Sequence, residues 1–206
     1  MSYWVELIRK AEQSTSTWTG GTTTQLAIYP KTADYKMRDF KWRLSSAEVE
    51  LQESTFTSLP GIYRHIMIIE GEMKLIHEGH HTVSLKPFMK DSFSGGWSTR
   101  SIGCARDFNL MLNQGCKGEL EAIAVNKAIY IDTAAVIPDK ACKNVTQGLY
   151  CAAGSAVLLV NETEEYALYE GDLALVNYTT EEGHTGIRLE STADRETVVI
   201  RSGISY

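Results

Sequence analysis

The stretch Leu59-Pro60-Gly61-Ile62-Tyr63-Arg64-His65-Ile66-Met67-Ile68-Ile69 sets an arginine at the head of a run of strand-forming residues. A guanidinium is a fixed cation with N–H donors in a planar fork, matched to a carboxylate. Side chains on a strand alternate between faces. Arg64 therefore shares one face with Ile66 and Ile68, and His65 shares the other with Met67 and Ile69. Both faces are apolar, so two destinations stay open. At a strand mouth the head reaches solvent and the stem covers apolar surface. Turned inward, it needs a carboxylate, ordered water or an anionic ligand, because an unpaired buried ion costs of order several kcal/mol.

Other residues could join it. In Lys41–Leu51, KWRLSSAEVEL, one face carries Arg43, Ser45, Ala47, Val49 and Leu51, and the other Trp42, Leu44, Ser46, Glu48 and Glu50. The apolar residues of the first face make it the inward one, which carries Arg43 and Ser45 toward a cavity. A salt bridge at the rim is the competing reading for Arg43. Asp107 and Asn109 alternate onto a common face. They offer a carboxylate partner for either arginine and a paired donor and acceptor, or they satisfy turn backbone. Trp18, Trp42 and Trp97 are core packing by default, with Trp42 kept as a candidate lining residue. His65 or Asp107 would serve as general base if the site is catalytic. Gly20-Gly21 before Thr22-Thr23-Thr24 reads as a strand-entry turn at the mouth, since it lacks the lysine and following helix of a phosphate loop.

His77-Glu78-Gly79-His80-His81 invites a metal reading. It sits at a hairpin turn, where side chains face water, and the neighbouring sequence supplies no third ligand. It is read as a set of surface histidines. Asp172 and His184 are read as turn residues.

The elements around these residues are short. Arg64–Ile69, Met73–His77 and His81–Leu85 are strands separated by Glu70-Gly71-Glu72 and Glu78-Gly79 turns. Phe108–Leu112, Leu120–Val125, Gly154–Val160, Tyr166–Tyr169, Asp172–Val176 and Thr197–Arg201 follow the same pattern. Only Ser2–Glu12 and part of 126–141 read as brief helix or loop. Many short strands with glycine turns indicate an all-β barrel or sandwich. IIEGEMKLIHEGHHTVSLKP echoes SAVLLVNETEEYALYEGDLALVN as strand, polar turn, strand. That echo suggests two barrel halves, placed at 1–115 and 116–206.

The 206 residues carry a formal net charge of −6. No basic stripe is present to displace counterions from a polyanion, so nucleic acid and anionic membrane are not expected partners. No apolar run is long enough for a membrane helix, and charges near the N-terminus argue against a signal peptide. A cytoplasmic protein is expected. Cys104, Cys116, Cys142 and Cys151 form no CxxC pair and are expected to be free, buried thiols. Exposed strand edges would suit a homodimer.

Metal-binding cupin barrels carry G-x5-H-x-H-x(3,4)-E-x6-G. Six residues separate Arg64 from Gly71, which puts Arg64 in the place of that glutamate. The histidine pair would fall near Thr57, Ser58, Leu59 and Pro60, where there is none. The sequence looks like a cupin barrel with its metal ligands removed and a cation installed. Neither a metal nor another cofactor is expected there. Four patterns then resemble the HutD/Ves family of two-barrel cupins: WTGGTTT (18–24), FKWRLSSAEV (40–49), FTSLPGIYR (56–64) and DFNLM (107–111). They lie in order over about residues 14–115. Departures are mild: Thr57 stands for serine, Leu59 for phenylalanine, Leu110 for valine. The resemblance implies an all-β bicupin and, in some members, a role linked to histidine utilisation. It also implies a small anionic metabolite, such as formate or a formylated glutamate, held by Arg64. Two other functions stay open: a cupin isomerase or hydrolase acting on an acyl-amino acid, and a non-catalytic scaffold with a vestigial barrel.

Overall fold

Period-two patterning and β-branched residues leave little scope for helix, and the described residues hold no α-helix. The computed structural model describes residues 3–132, 142–180, 185–193 and 196–206. Residues 133–141 and His184 lie outside that set. The strands run β1 Tyr3–Ile8, β2 Ser14–Trp18, β3 Gly21–Tyr29, β4 Trp42–Val49, β5 Glu53–Thr55, β6 Tyr63–Gly71, β7 Met73–His77, β8 Thr82–Leu85, β9 Lys90–Ser94 and β10 Thr99–Ile102. They continue β11 Ala105–Leu112, β12 Lys117–Ala124, β13 Ala128–Ile131, β14 Asn144–Ala153, β15 Ser155–Val160, β16 Glu164–Tyr169, β17 Leu173–Thr179, β18 Ile187–Ser191 and β19 Val198–Ser205. No helix among the described residues is long and apolar enough to cross a membrane.

Two units result. In Gln13–Gly115, a six-stranded sheet β2-β3-β4-β11-β6-β9 accompanies a four-stranded sheet β5-β10-β7-β8. Ile66, Ile68 and Phe93 of the larger sheet close a core with Met73, Leu75 and Leu85 of the smaller. The other unit, Met1–Glu12 with Cys116–Tyr206, pairs β1-β17-β14-β19-β12 with β13-β18-β15-β16. Its core joins Leu149, Val176 and Val199 to Leu158, Leu168 and Leu189. Each is a two-sheet cupin-like barrel half, every ladder antiparallel.

Several sequence expectations change. Residues 3–8 are strand, not helix, and residues 1–12 group with the C-terminal unit rather than with 13–115. The reason is local. Tyr3, Val5 and Leu7 alternate onto the C-terminal core, with Tyr3 paired to Tyr178 and Leu7 to Ala174 on β17. Asp172 then fastens the end of the strand, accepting from Lys10 N at 2.9 Å and from Arg9 Nη1 at 2.7 Å. The internal echo is offset by one strand. Sheet order equates β6-β7-β8-β9 with β14-β15-β16-β17, whereas the sequence similarity had set β6 against β15. None of the four cysteines is in a disulfide, but Cys104 is exposed and Cys116 half-buried, and only Cys142 and Cys151 are buried. The Gly20-Gly21 turn opens a nine-residue strand. Gly21 has φ +150°, and a Cβ there would lie 1.9 Å from the Glu48 carbonyl oxygen. Only glycine lets β3 approach β4 that closely.

Candidate anion-binding cavity of the N-terminal barrel

Three adjacent strands build the site. On β4, β11 and β6, Arg43 faces Met111, which faces Arg64. One step along, Ser45 faces Asn109 and Asn109 faces Ile66; one step further, Ala47 faces Asp107. Strand alternation sends all of these to one face, where all but Ile66, which enters the core, line a cavity of about 270 Å³. The face is the inward one for Arg64. The bulge between Arg106 and Asp107 on the β11–β6 ladder shifts the register beside Asp107.

The Arg64 side chain is buried, with its guanidinium over Phe56 at 4.8 Å and over Phe93 at 5.3 Å. The rings hold its plane and add about 0.5–2 kcal/mol of cation–π attraction. They accept none of its N–H groups in ordinary hydrogen bonds. Nε is fully buried and has no partner among the described residues. Burial depresses the guanidinium to about 10, and the attraction of Asp107 offsets part of that shift. Arg43 is better satisfied: Nε donates to Gln25 Oε1 at 2.9 Å and Nη1 to Ser45 Oγ at 3.0 Å, and the group stacks over Tyr35 at 4.3 Å. Burial lowers its pKa as well.

Asp107 is the cavity's buried carboxyl. Burial raises it to about 7, against the opposing pull of Arg64 and of the Ala47 backbone N–H. Its Oδ1 and the Oδ1 of Asn109 are buried and unpartnered among the described residues. Two guanidiniums thus share a small cavity with one carboxyl that burial pushes up to about 7. The local charge is positive, in a setting where ions interact strongly and are costly to leave unpaired. Neither Oδ1 atom accepts a hydrogen bond from Arg64.

Of the seven residues singled out in the sequence, Arg43, Ser45, Arg64, Asp107 and Asn109 line this cavity. His65 and Trp42 do not, which corrects their assignment. Each is one residue out of phase with an arginine, so alternation sends it to the opposite face. His65 shares Nδ1 with Ser92 Oγ at 2.7 Å, and burial lowers it to about 4, leaving it neutral. Trp42 stacks on Tyr29 at 5.7 Å. Leu51 lies beyond the end of β4 and is exposed. Reasoning from the sequence missed Gln25, Tyr35, Phe56 and Phe93. Gln25 sits opposite Ser45 in the β3–β4 register, a pairing that no local pattern announces. Ring stacking under a guanidinium leaves no spacing signature.

The reading of the histidine turn also changes. His77 is buried, with Nδ1 on Thr99 Oγ1 at 2.8 Å and Nε2 on Asp91 Oδ2 at 2.8 Å. His81 Nε2 lies 3.1 Å from both oxygens of the same carboxylate. Asp91, ten residues beyond His81 on β9, is the third group that the neighbouring sequence did not supply.

A profile of the HutD family matches residues 10–198. A curated relative, an uncharacterized 21.2 kDa protein in the hutC 3′ region of Pseudomonas putida, is 31% identical over 113 residues. That match covers 52% of this chain and 57% of the relative, so the chain spans just over half of that relative's length. The conserved protein PA5104 of Pseudomonas aeruginosa PAO1 has the same fold, with TM-score 0.80, 20% identity and 98% of both chains covered. So does HutD from Pseudomonas fluorescens SBW25 in its formate condition, with TM-score 0.69, 20% identity, and 97% of this chain and 98% of that one covered. A mutant of Bacillus subtilis oxalate decarboxylase OxdC also shares the fold, with TM-score 0.66, 7% identity, and 95% of this chain and 76% of that one covered.

Proposed function

Because this chain belongs to the HutD family, we propose that its N-terminal barrel binds a small carboxylate between Arg64 and Arg43, as a sensor or regulator linked to histidine utilisation. Formate, glutamate and formylated glutamate are the candidate ligands. One observation carries the reading: the Arg64 guanidinium is buried against two adjacent phenylalanine rings, its Nε has no hydrogen-bond partner, and no ion pair among the described residues includes it. A planar two-oxygen anion supplies what this group lacks, since a guanidinium grips a carboxylate through two parallel N–H···O bonds. The cavity, near the lower end of the usual ligand range, suits a small metabolite. The formate condition of the P. fluorescens relative and the hutC-adjacent P. putida relative agree with this ligand class and setting. A vestigial scaffold would have filled the barrel or paired Arg64 internally, and the cavity geometry weighs against that.

The test is thermal unfolding with sodium formate, glutamate and formylglutamate, and with neutral formamide as the control. Mass action predicts a melting temperature that climbs with ligand, about 2.7 kcal/mol of added stability at a hundredfold excess over Kd. The rise should be absent with formamide and lost in Arg64→Ala. Equal shifts in wild type and Arg64→Ala, or none at millimolar anion, would sink the proposal. Asp107, poised at about 7, also favours a second reading, a general base acting on an acyl-amino acid. Turnover of such a substrate that disappears in Asp107→Asn would establish it.

A further inference from the structure

The second cluster of functional groups in the N-terminal unit is built from His77, His81 and Asp91. We propose that these three residues form a binding site for a divalent first-row transition ion of the zinc type, separate from the arginine cavity.

Three segments converge on it. His77 closes β7, His81 stands just before β8, and their hairpin is fixed by His77 N donating to His81 O at 2.9 Å. Asp91 comes from β9 of the other sheet. One ligand atom from each residue falls within 4.8 Å of the other two. His77 Nε2 is 2.8 Å from Asp91 Oδ2, and His81 Nε2 is 3.1 Å from either oxygen. A four-coordinate ion with bonds of about 2.0–2.1 Å spaces its ligands by about 3.3 Å. Each imidazole nitrogen would need to part from the Asp91 carboxylate by only a few tenths of an ångström to admit the ion.

The surroundings fit as well. Metal-binding imidazoles use one ring nitrogen as ligand and donate the other N–H to an oxygen that fixes their orientation. Thr99 Oγ1, 2.8 Å from His77 Nδ1, is placed to accept that proton and leave the Nε2 lone pair facing Asp91. The His77 side chain has no exposed surface. Its ring packs 4.4 Å from Phe93 and 5.7 Å from Trp97, centroid to centroid. His81, at 40% side-chain exposure, keeps the site open to exchange with solvent. Two imidazoles and one carboxylate select borderline transition ions over calcium or magnesium, which prefer oxygen donors throughout. Three protein ligands leave a position for water. In the competing arrangement the two imidazoles donate Nε2–H to Asp91, and the Thr99 hydroxyl donates to His77 Nδ1. The two arrangements differ in the His77 tautomer.

The test titrates zinc chloride and cobalt chloride into the chelator-treated full-length chain, read by calorimetry and by visible absorption of cobalt(II). One ion per chain is expected, together with a shift of the His77 proton to Nδ1 in nitrogen NMR. His81→Ala and Asp91→Asn should weaken binding at least tenfold, and Thr99→Val by about 10–100-fold. His80→Ala, whose ring stacks on Trp97 at 3.7 Å and is not among the ligands, should bind as wild type does. Because His81 is exposed, its variant reports on binding in a folded protein. No stoichiometric binding overturns the proposal. Binding indifferent to His81→Ala and Asp91→Asn, or weakened as much by His80→Ala, does the same.

Discussion

Each barrel carries an arginine on its core face whose Nε donates to a glutamine Oε1 at 2.9 Å: Arg43 to Gln25 in one, Arg201 to Gln147 in the other. From there they diverge. Arg201 also donates through Nη2 to the Asp132 carbonyl at 2.8 Å and meets Glu121 at 3.3 Å, so protein groups complete its shell. Gln147 is held in turn by donating to Tyr178 at 3.0 Å. In the N-terminal barrel the hydrogen bonds of Arg43 among the described residues go to Gln25 and Ser45, and Arg64 beside it rests on phenylalanine rings near a carboxyl that burial pushes up to about 7. Burial of an arginine is therefore not in itself a binding site. What differs is how many acceptors the chain turns onto the guanidinium: enough at Arg201 for a structural tie, too few at Arg64.

The sharpest way to break this comparison is to replace both cations with methionine. Arg64→Met should raise the stability of the anion-free protein by about 1–4 kcal/mol, because it removes a buried charge without a counter-ion, while abolishing the response to formate. A loss of stability in urea unfolding would mean that Arg64 is structural. Arg201→Met should do the opposite. It strands the buried Gln147 Oε1, at about 1–3 kcal/mol, and a variant as stable as wild type would refute the structural tie.

Asp107 gives a pH test of the same contrast. Its carboxyl sits at about 7 in the folded protein against 3.8 ordinarily, so across that window the folded state keeps a proton that the unfolded chain has released. The contribution is full below 3.8, falls as pH rises toward 7, and is gone above it. Asp107→Asn should remove that decline, measured as unfolding free energy at pH 5 and pH 8. Formate affinity should also fall above pH 7, by up to about tenfold per unit where binding requires the protonated carboxyl, and stay flat in the asparagine variant. The smallest expected effect is Gln25→Leu, about 1 kcal/mol for one lost hydrogen bond to Arg43. An effect as large as that of Arg201→Met would erase the distinction between the barrels.

Much of the fold was legible. Met73–His77 begins and ends where its pattern does, and β4, β6, β11 and β15 fall within a few residues of their apolar runs. The all-β class follows from those short runs and their glycine turns. The strands β2, β5, β9 and β10 were not legible. Ser14–Trp18 is polar and exposed, and ladder pairing rather than burial makes it a strand, while Lys90–Ser94 offers one buried apolar residue, Phe93, too few for a pattern. β14 was missed because its buried run of Thr146, Gln147 and Gly148 lacks an apolar signature. β1 was misread because an amphipathic hexapeptide fits helix or strand until a partner edge is present, and that edge, β17, lies about 170 residues away.

The sequence by itself determined that Arg43, Ser45, Asp107 and Asn109 sit in phase on their strands, because the two-residue period of a pleated chain is local. It could not decide which face of β6 is the interior, because Ile66 and Ile68 are as apolar as Met67 and Ile69. Pairing of β11 between β4 and β6 decided that, and it sent Arg64 inward and His65 away. Nor could it bring Asp91 to His77 and His81. That proximity comes from strands of two different sheets meeting at the core, a long-range packing event that no local spacing encodes.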